Sequence, residues 1–373
     1  MLLVAPVPPP YGGMALQAQL LQKMLQGDGI ATVLFQSNFS LPKRLQFLER
    51  LPGVRTLVRS ILIWSKLRKQ VREVEVVHVL AASWLYFFLV VYPAVIVGRL
   101  SRKHVVLNYR GGEAGRFFQY WGWAAKPIFK LADVVTAPSE FLARVIGASM
   151  GVPVAIVSNI LNTSIFKYHQ RQAFKPRLLV ARHLEKIYDI ETVLKAFGRI
   201  QERYPDASLL IAGTGSLEKH LRQQAAAWGL RNATFLGPVA QHDLPALHDQ
   251  CDIFLNASRV DNFPGALLEA SAAGLVVIST CAGGIPFIYQ HDRSALLVEP
   301  GDAEGLARAV ETVLESPTLA LRLTANALDL VRGCDWKQVR RSLYTAYRFP
   351  IPNTAEDNAV LVGANWDRPR GGM

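Results

Sequence analysis

By type and spacing, Arg182 and Lys186 could bind an anion. They directly follow a strand-like apolar run, Leu178–Ala181. Two cations at the carboxyl end of a strand suit a diphosphate, because Arg holds two oxygens while Lys adds a point charge. They would also stabilise negative charge that grows on a departing phosphate. A surface basic pair bridged to Glu185 is the structural alternative.

A pair of acids, Asp261 and Glu269, forms the second candidate. Pro264-Gly265 between them predicts the start of a helix, which leaves Asp261 in the loop and Glu269 about a turn inside. Both carboxylates can then face one cleft, with helix amide groups between them available for phosphate. Carboxylates also accept hydrogen bonds from sugar hydroxyls. Two alternatives remain: a helix cap with a solvated Glu269, and a glycosidase-like acid/base pair.

Three glycine motifs each follow a predicted strand. They are Gly12-Gly13, Gly213-Thr214-Gly215 and Gly283-Gly284-Ile285-Pro286. Glycine lets the backbone approach a ligand closely, and a following helix N-terminus favours an anion. A tight turn is the structural alternative for the first two motifs, and for Gly213-Thr214-Gly215 alone it is the favoured one.

Apolar strand-like runs alternate with helix-length amphipathic segments along almost the whole chain, which is typical of parallel sheets with crossover helices. We predict two sets of six strands, at Leu2–Ala5, Ala31–Phe35, Val74–Leu80, His104–Leu107, Val134–Ala137 and Ala155–Val157, and at Arg177–Ala181, Ser208–Ala212, Thr234–Leu236, Ile253–Asn256, Val276–Ser279 and Ala295–Val298. A polar connection, 159–176, separates them. The fold class is therefore α/β, with two doubly wound parallel-sheet domains at 1–160 and 172–333. We expect disorder in the polar tail 351–373.

The formal charge of +12 is concentrated near the N-terminus, where Lys43–Arg72 holds nine basic residues and one acid. A helix in this window would place Arg55, Arg59 and Lys66 on one face and Val54, Leu57, Val58 and Ile61 on another. Such a helix could contact an anionic membrane surface, and an ordinary solvated face is an equal alternative. The window lacks the motifs of nucleic-acid-binding modules, so we expect no nucleic-acid partner.

Several other features carry no chemistry of their own. Three scattered cysteines predict neither a zinc site nor a disulfide and fit a reducing compartment. The run Leu2–Val7 is interpreted as a buried strand rather than a signal peptide. The apolar stretch Trp84–Leu100 is interpreted as a buried helix rather than a membrane span, for which it has the minimum length. His78 is expected to be a buried strand histidine.

The order and spacing of these motifs resemble the retaining glycosyltransferases of family 4, in which two Rossmann-like domains face each other across a cleft (GT-B). The resemblance rests on Gly12-Gly13, Arg182 with Lys186, Gly213-x-Gly215, Phe235-Leu236-Gly237, Asp261-x7-Glu269, Gly283-Gly284-Ile285-Pro286 and the Gly301-Asp302 turn. The helix from Asp335-Trp336 to Tyr347, within 334–349, is similar to the family's last helix, which crosses back to the N-terminal domain.

The resemblance implies a nucleotide-diphosphate sugar as donor substrate, with no cofactor and no metal. Arg182 and Lys186 would bind the diphosphate, Glu269 the ribose hydroxyls, and Asp261 would approach the donor sugar. The remaining nucleotide-binding positions would be Gly12, Gly13, Gly213, Val239, Gly265 and Ala266, with Val239 beside the base. Transfer would retain the configuration at the anomeric carbon.

The chain also departs from the family pattern. Asp261 stands where the family usually has Glu, and Arg110, in Tyr109-Arg110-Gly111-Gly112, stands where it often has His. Arg cannot act as a general base, although it could bind an anionic donor or acceptor. Phe287 replaces a Glu, Ile187 a Gly, and the interdomain motif reads Asn159-Ile160-Leu161-Asn162. His78 and Glu113 are alternative polar residues near this cleft.

These observations predict a metal-independent enzyme that moves a sugar from a nucleotide onto a glycan or lipid-linked acceptor, with Asp261, Arg182, Lys186 and Arg110 as the catalytic set. Surface polysaccharide or glycolipid assembly fits, in the cytoplasm or peripheral to the cytoplasmic face of the inner membrane. Arg110 and Phe287 motivate a second hypothesis, a nucleotide-sugar-binding partner protein without catalysis. A sugar-nucleotide epimerase ranks last, because no carboxylate and histidine set for it can be assembled.

Overall fold

The computed structural model describes residues 1–9, 12–42, 44, 46, 47, 51–162 and 165–350. Within these residues the chain forms two six-stranded sheets, all of whose strand pairs are parallel. The predicted α/β class with two doubly wound sheets is therefore confirmed. The tail 351–373, for which disorder was expected, lies outside the described residues.

The first sheet has the strand order β2-β1-β3-β4-β5-β6 and the second has the order β12-β11-β10-β7-β8-β9. The strands of the first sheet are β1 Leu2–Ala5, β2 Val33–Gln36, β3 Val76–Ala81, β4 His104–Tyr109, β5 Val134–Ala137 and β6 Val154–Ile156. Those of the second are β7 Arg177–Ala181, β8 Ser208–Ala212, β9 Ala233–Gly237, β10 Ile253–Asn256, β11 Val276–Thr280 and β12 Leu296–Val298. Each lies within two residues of its predicted position.

Helices cover both faces of each sheet, because both faces of the central strands are apolar and must be buried. The helices are α1 Gly13–Gly27, α2 Pro52–Gln70, α3 Tyr92–Leu100, α4 Ala114–Leu131, α5 Glu140–Met150, α6 Ile190–Arg203, α7 Glu218–Ala227, α8 Leu244–Asp249, α9 Gly265–Ala272, α10 Ala303–Glu315, α11 Pro317–Arg332 and α12 Trp336–Tyr347. Helices α2 to α5 pack on one face of the first sheet, and α1 and α12 pack on the other.

The apolar stretch Trp84–Leu100 is a buried element of the first domain, as predicted. It forms a π-helical turn, Phe87–Val91, that continues into α3. Phe87 lies at the centre of an aromatic cluster, with its ring stacked at 5.8 Å from that of Phe129. Among the described residues, no helix combines the length and apolarity that a bilayer span requires. The three cysteines are free.

Helix α2 faces solvent differently from the sequence interpretation. Among the side chains of α2 that the structure describes, Ile63 and Leu67 are buried, whereas Val54 and Ile61, from the predicted apolar face, are exposed. Arg55 and Arg59 are half-buried, and the Lys66 ammonium lies 3.6 Å from the centre of the Phe39 ring. Lys66, Arg68 and Lys69 are the exposed cations among the described side chains of α2. The apolar face that packs on the domain differs from the one that the pattern suggested, so the outward face of α2 carries both apolar and basic residues.

Helix α12 ties the C-terminal end of the described chain to the first sheet. The Asp28 carboxylate accepts hydrogen bonds from Trp336 Nε1 at 3.1 Å and from the Tyr344 hydroxyl at 2.7 Å. On β3, His78 is completely buried and its Nδ1 lies 2.5 Å from the Tyr347 hydroxyl. This position confirms the interpretation of His78 as a buried strand histidine.

His78 should make folding sensitive to acid. Burial lowers the pKa of His78 to about 3, with the charge of Arg110 acting in the same direction, so the unfolded chain gains a proton that the folded chain excludes. The stability that neutral His78 confers is therefore lost as the pH falls below the pKa of this histidine in the unfolded chain. The difference in unfolding free energy between wild type and His78→Gln, measured with urea, should fall by about 2 kcal/mol between pH ~6.5 and ~5. Exposed His242→Gln is the control, and parallel curves for wild type and His78→Gln would refute the assignment.

Candidate functional site

Arg182 is held in place at the carboxyl edge of the second sheet by three neighbouring side chains. Its Nη2 donates to Asp261 Oδ2 at 2.6 Å, and its Nε donates to Asn256 Oδ1 at 3.0 Å. The ring of Tyr188 lies beneath the guanidinium at 5.1 Å. Only about a tenth of the Arg182 and Asp261 side chains is exposed, at 10% and 11%. The predicted cation and the predicted acid thus form one partly buried ion pair.

The glycines of the Gly-x-Gly motif allow the Arg182 loop to pack directly on the neighbouring loop. Gly213 has φ +134, and a Cβ there would lie 2.0 Å from the Arg182 carbonyl oxygen. A Cβ on Gly215 would lie 2.3 Å from the Leu184 carbonyl oxygen. The two loops also exchange backbone hydrogen bonds, from Arg182 N to Ala212 O and from Leu184 N to Thr214 O. This motif therefore positions the backbone that carries Arg182.

The Gly283-Gly284 pair plays the same structural part for the acidic loop. A Cβ on Gly283 would lie 2.3 Å from the Asp261 carbonyl oxygen, and one on Gly284 would lie 2.3 Å from that of Asn262. Gly284 N also donates to Asp261 O at 2.7 Å. Any larger residue at these positions would displace the loop that holds the Arg182 ion pair.

Helix α9 begins at Gly265, where the sequence predicted a helix start. Its N-cap is Pro264, and no side chain caps the first turn. Asp261 Oδ1 instead accepts from Phe263 N at 3.2 Å, so the alternative in which Asp261 caps the helix does not describe this loop. Glu269 is half-buried on α9. Burial raises the pKa of Glu269, and the nearby Arg182 charge opposes that rise.

Lys186 and Glu185 take separate directions from the end of β7. Lys186 is exposed in the short 3₁₀ turn Lys186–Tyr188. Its ammonium has no ion pair or hydrogen bond within the part of the chain that the structure describes. Glu185 accepts from Ser216 N at 2.7 Å and from Ser216 Oγ at 2.6 Å, and these hydrogen bonds lower its pKa. The alternative of a basic pair bridged by Glu185 is therefore wrong.

Two contacts join the first domain to this edge of the second sheet. Asn262 is buried and donates from Nδ2 to the Gly111 carbonyl oxygen at 2.7 Å. The ring of Phe287 lies 5.5 Å from that of Phe141 on α5, and the Arg144 guanidinium lies 5.4 Å from the Phe287 ring. The candidate site consequently lies where the two domains meet.

Arg110 hydrogen-bonds within the first domain's boundary segment and, among the described residues, forms no hydrogen bond or ion pair with Arg182 or Asp261. Its Nη2 donates to Asn159 Oδ1, in the segment that leaves the first domain, and burial lowers its pKa to about 10. It borders a small cavity whose other walls include Gln17, Asn108 and Leu343. Glu113, the other candidate near Gly111, is exposed and accepts from Trp84 Nε1 at 2.9 Å and from Arg116 at 2.9 Å.

The remaining predicted positions lie in both domains. Gly12 is the N-cap of α1 and Gly13 its first residue; among the described residues, a Cβ at either position would meet no atom within 4 Å, and no side chain caps α1. Protein packing therefore does not require glycine there. Val239 and Ala266 are half-buried and contact the apolar cluster beneath the Asp261 loop.

Sequence reasoning missed Asn256, Tyr188 and Phe141. Asn256 ends the buried strand β10 and orients Arg182, and a polar residue at the end of an apolar strand could have indicated it. Tyr188 follows Lys186 by two residues but has no motif of its own. Phe141 is joined to Phe287 only by the fold.

The charges and hydrogen-bond acceptors of these groups suit a phosphorylated ligand that bears hydroxyl groups. Within the described part of the chain, one fixed guanidinium, one unpaired ammonium and an uncapped helix N-terminus supply positive potential. Glu269 supplies an acceptor for hydroxyl donors. In the described ranges, no cluster of three or more His, Cys, Asp or Glu side chains forms a potential metal site.

Solved structures share this fold across nearly the whole chain. Sucrose-phosphate synthase from Thermosynechococcus elongatus superimposes with a TM-score of 0.75 at 17% identity, covering 93% of this chain and 98% of that one. The Anabaena protein HepE, solved in complex with UDP, gives 0.72 at 17% identity with the same coverage. At this identity the likeness establishes the two-domain GT-B fold.

Sequence relatives agree with the fold. Glycogen synthase of Mycobacterium tuberculosis is 25% identical over 295 residues, which are 73% of this chain and 68% of that protein. The GDP-mannose-dependent alpha-(1-6)-phosphatidylinositol monomannoside mannosyltransferase of the same organism is 35% identical over 155 residues, and this match spans 39% of this chain and 40% of that enzyme.

Two family models match consecutive halves of the chain. Residues 11–165 match Glycosyltransferase Family 4, and residues 163–329 match Glycosyl transferases group 1. The first match holds Gly12, Gly13 and Arg110, and the second holds Arg182, Lys186, Asp261 and Glu269. The chain belongs to the family 4, group 1 glycosyltransferases.

Proposed function

We propose that this glycosyltransferase moves a sugar from a nucleoside-diphosphate sugar onto a glycan or lipid-linked acceptor, with retention of anomeric configuration and without a metal. Surface polysaccharide or glycolipid synthesis at the cytoplasmic side of a membrane is the setting we infer. The observation that carries the proposal is the Arg182–Asp261 ion pair, which lies beside the uncapped start of α9 and half-buried Glu269 at the domain junction.

The ion pair supplies a cation for the donor diphosphate and a carboxylate for the donor sugar. Arg182 is bound to Asp261 at 2.6 Å, and a donor diphosphate would compete for the same guanidinium. Lys186, unpaired among the described residues, is then available to the second phosphate. Asp261 would turn toward the sugar as the phosphate takes its place. Fixed cations that neutralise the leaving diphosphate supply the role that a metal fills elsewhere.

The nucleoside would lie along the loops that follow β7, β8 and β9. Glu269 would accept hydrogen bonds from the ribose hydroxyls, Gly213 would line the diphosphate, and Val239 would border the base. Gly12 and Gly13 would close on the phosphates from the first domain, since a Cβ at either position faces open space. Nucleotide sugars in the names of similar proteins, UDP with HepE and GDP-mannose with the mannosyltransferase, support a donor of this class.

The proposal about the acceptor is based on the first domain. Helix α2 exposes Val54 and Ile61 together with Arg68 and Lys69. A helix with apolar and basic residues on one outward face suits an anionic membrane surface. We infer that the enzyme works beside such a surface, where a lipid-linked acceptor is presented.

A second candidate is a partner protein that binds nucleotide sugars without catalysis. Two contacts favour it: Arg110 donates to Asn159 rather than to the ion pair, and Phe287 packs against Phe141. In each case, the position where the family resemblance implies a polar group, His or Glu, holds a side chain that is engaged elsewhere.

Turnover separates the two candidates. We expect release of nucleoside diphosphate from at least one of a panel of UDP-, GDP- and ADP-sugars, slowly with water and faster with a glycan acceptor. Activity should be the same in EDTA as in Mg²⁺. Tight binding of a sugar nucleotide with no hydrolysis or transfer would favour the partner protein.

Arg182→Ala should weaken binding of the nucleoside diphosphate that wild type prefers by roughly tenfold to a hundredfold, because a hydrogen bond to a charged group is lost. Isothermal titration calorimetry measures the change. Arg199→Ala, which removes an exposed Arg from α6, should leave affinity unchanged. Equal affinity in Arg182→Ala and wild type would show that the diphosphate binds elsewhere.

Glu269→Gln tests the ribose contact separately. The wild-type enzyme should bind a ribonucleoside diphosphate on the order of tenfold more tightly than its 2′,3′-dideoxy analogue, since hydroxyl groups donate to a carboxylate. The variant should lose most of that discrimination but bind pyrophosphate like wild type. Discrimination that survives the substitution would exclude Glu269 from the nucleoside site.

A further inference from the structure

Helix α4 carries an outward stripe of residues that the donor site does not use. Arg116, Tyr120, Trp123, Pro127 and Lys130 recur at intervals of three and four, so they line one face of the helix. All five are exposed. Trp123 is 77% exposed and Tyr120 is 59% exposed. The neighbouring Trp121 extends the aromatic surface, with its ring 6.4 Å from that of Trp123.

Packing of the first domain does not require this stripe. The opposite face of α4 supplies the core, where Phe117, Ile128 and Phe129 are buried. Trp121 bridges the two faces, because its ring also contacts that of Phe88 at 5.4 Å. Two large aromatic rings held in water on a rigid helix indicate a surface that is covered in use.

The charged side chains of α4 are all positive. No Asp or Glu occurs within α4, and from Val76 to Ala132 the only carboxylate side chain is Glu113. That carboxylate already binds Arg116 and Trp84. Lys126 and Lys130 are exposed and have no ion pair within the described part of the chain. The covering partner must therefore combine negative charge with an apolar layer.

We propose that the α4 stripe is a membrane-insertion site that seats in an anionic lipid bilayer. Tyr120 and Trp123 lie at the headgroup level, and Lys126 and Lys130 contact lipid phosphates. Tyr and Trp favour this interface because each ring joins an apolar body to a polar tip. Lysine stems lie along apolar surface while the ammonium reaches the phosphate. The inference rests on the proposed function, since it supplies the surface from which a lipid-linked acceptor is taken.

The position of the stripe relates the bilayer to the cleft. Helices α2, α3 and α4 pack side by side on the same face of the first sheet, so the outward residues of α2 lie in the same layer as the stripe. Helix α4 begins three residues after Gly111, which binds Asn262 at the domain junction. At 1.5 Å per residue, Trp123 lies about 14 Å along the helix from that end. A lipid headgroup beside α4 is thus within reach of the donor site.

The test measures vesicle binding and insertion separately. The full chain is sedimented with vesicles of phosphatidylcholine alone and with vesicles of equal parts phosphatidylcholine and phosphatidylglycerol. We expect binding to the mixed vesicles, and Trp123→Ser should weaken it on the order of tenfold, because one large aromatic side chain no longer leaves water. Lys130→Glu should weaken it at least about fivefold. Trp228→Ser, which removes a 40%-exposed Trp from the second domain, is the matched control.

Brominated lipid chains report insertion directly, since they quench tryptophan fluorescence at short range. Quenching of wild type that falls sharply in Trp123→Phe supports the proposal, and quenching that is unchanged overturns it. Vesicle binding that is lost in Arg68→Glu/Lys69→Glu but kept in Trp123→Ser overturns it as well, and leaves α2 as the membrane contact. A dimer that becomes monomeric in Trp123→Ser, with unchanged vesicle binding, would make the stripe a self-association surface instead. Trp123→Ser and Lys130→Glu should hydrolyse the sugar nucleotide in solution as fast as wild type. If wild type itself hydrolyses no sugar nucleotide, the proposed function is refuted, whereas the insertion site is judged by vesicle binding and quenching alone.

Discussion

The geometry of the candidate site depends on one ion pair, Arg182–Asp261, and on the loops that hold its two members. Arg182 donates to Asn256 at the end of one strand and to Asp261 in the loop that follows it. Each loop lies against a second loop at a distance that only glycine permits, at Gly213 and at Gly283. A guanidinium fixed in this way loses little side-chain entropy when a phosphate replaces the carboxylate. Preorganisation of the cation, rather than its charge alone, is what the surrounding fold supplies.

The junction between the domains sets the second constraint. Asn262 follows Asp261 directly and donates to Gly111 of the first domain. Movement of one domain relative to the other would therefore displace the loop that carries Asp261. Phe287 and Phe141 add an apolar contact across the same boundary. In this chain Phe287 occupies the position where the family motif has a glutamate. The change replaces a polar group at the site with one that stabilises the approach of the two domains.

Much of the fold followed from sequence because the physical signals were local. Buried parallel strands such as Ile253–Asn256 are short apolar runs, and the Pro264-Gly265 pair marked the start of α9. The candidate residues could also be picked out from the sequence, since Arg182 directly follows β7, Asp261 lies in the loop after β10, and Glu269 lies on the helix that this loop leads into. Where the pattern was local but ambiguous, the reasoning was less exact. On α2, apolar residues occur on more than one side, and Ile63 and Leu67 pack inward rather than Val54 and Ile61.

Contacts between distant residues could not be predicted. Nothing near Arg110 indicates that its partner is Asn159, and the His78–Tyr347 contact joins residues 269 positions apart. The roles of the glycine motifs were hidden for the same reason, because a close approach is visible only when both loops are in place. The stripe on α4 required burial to be known, since Trp and Tyr in a helix ordinarily suggest core.

A crystal structure of the enzyme with bound UDP or GDP tests the central claim most directly. The account predicts phosphate oxygens within hydrogen-bonding distance of the Arg182 guanidinium and the Lys186 ammonium, with the other phosphate at the start of α9 and Asp261 released from Arg182. A diphosphate bound away from this edge, for example in the groove lined by Cys281, His291 and Arg308, with the Arg182–Asp261 pair intact, would contradict it.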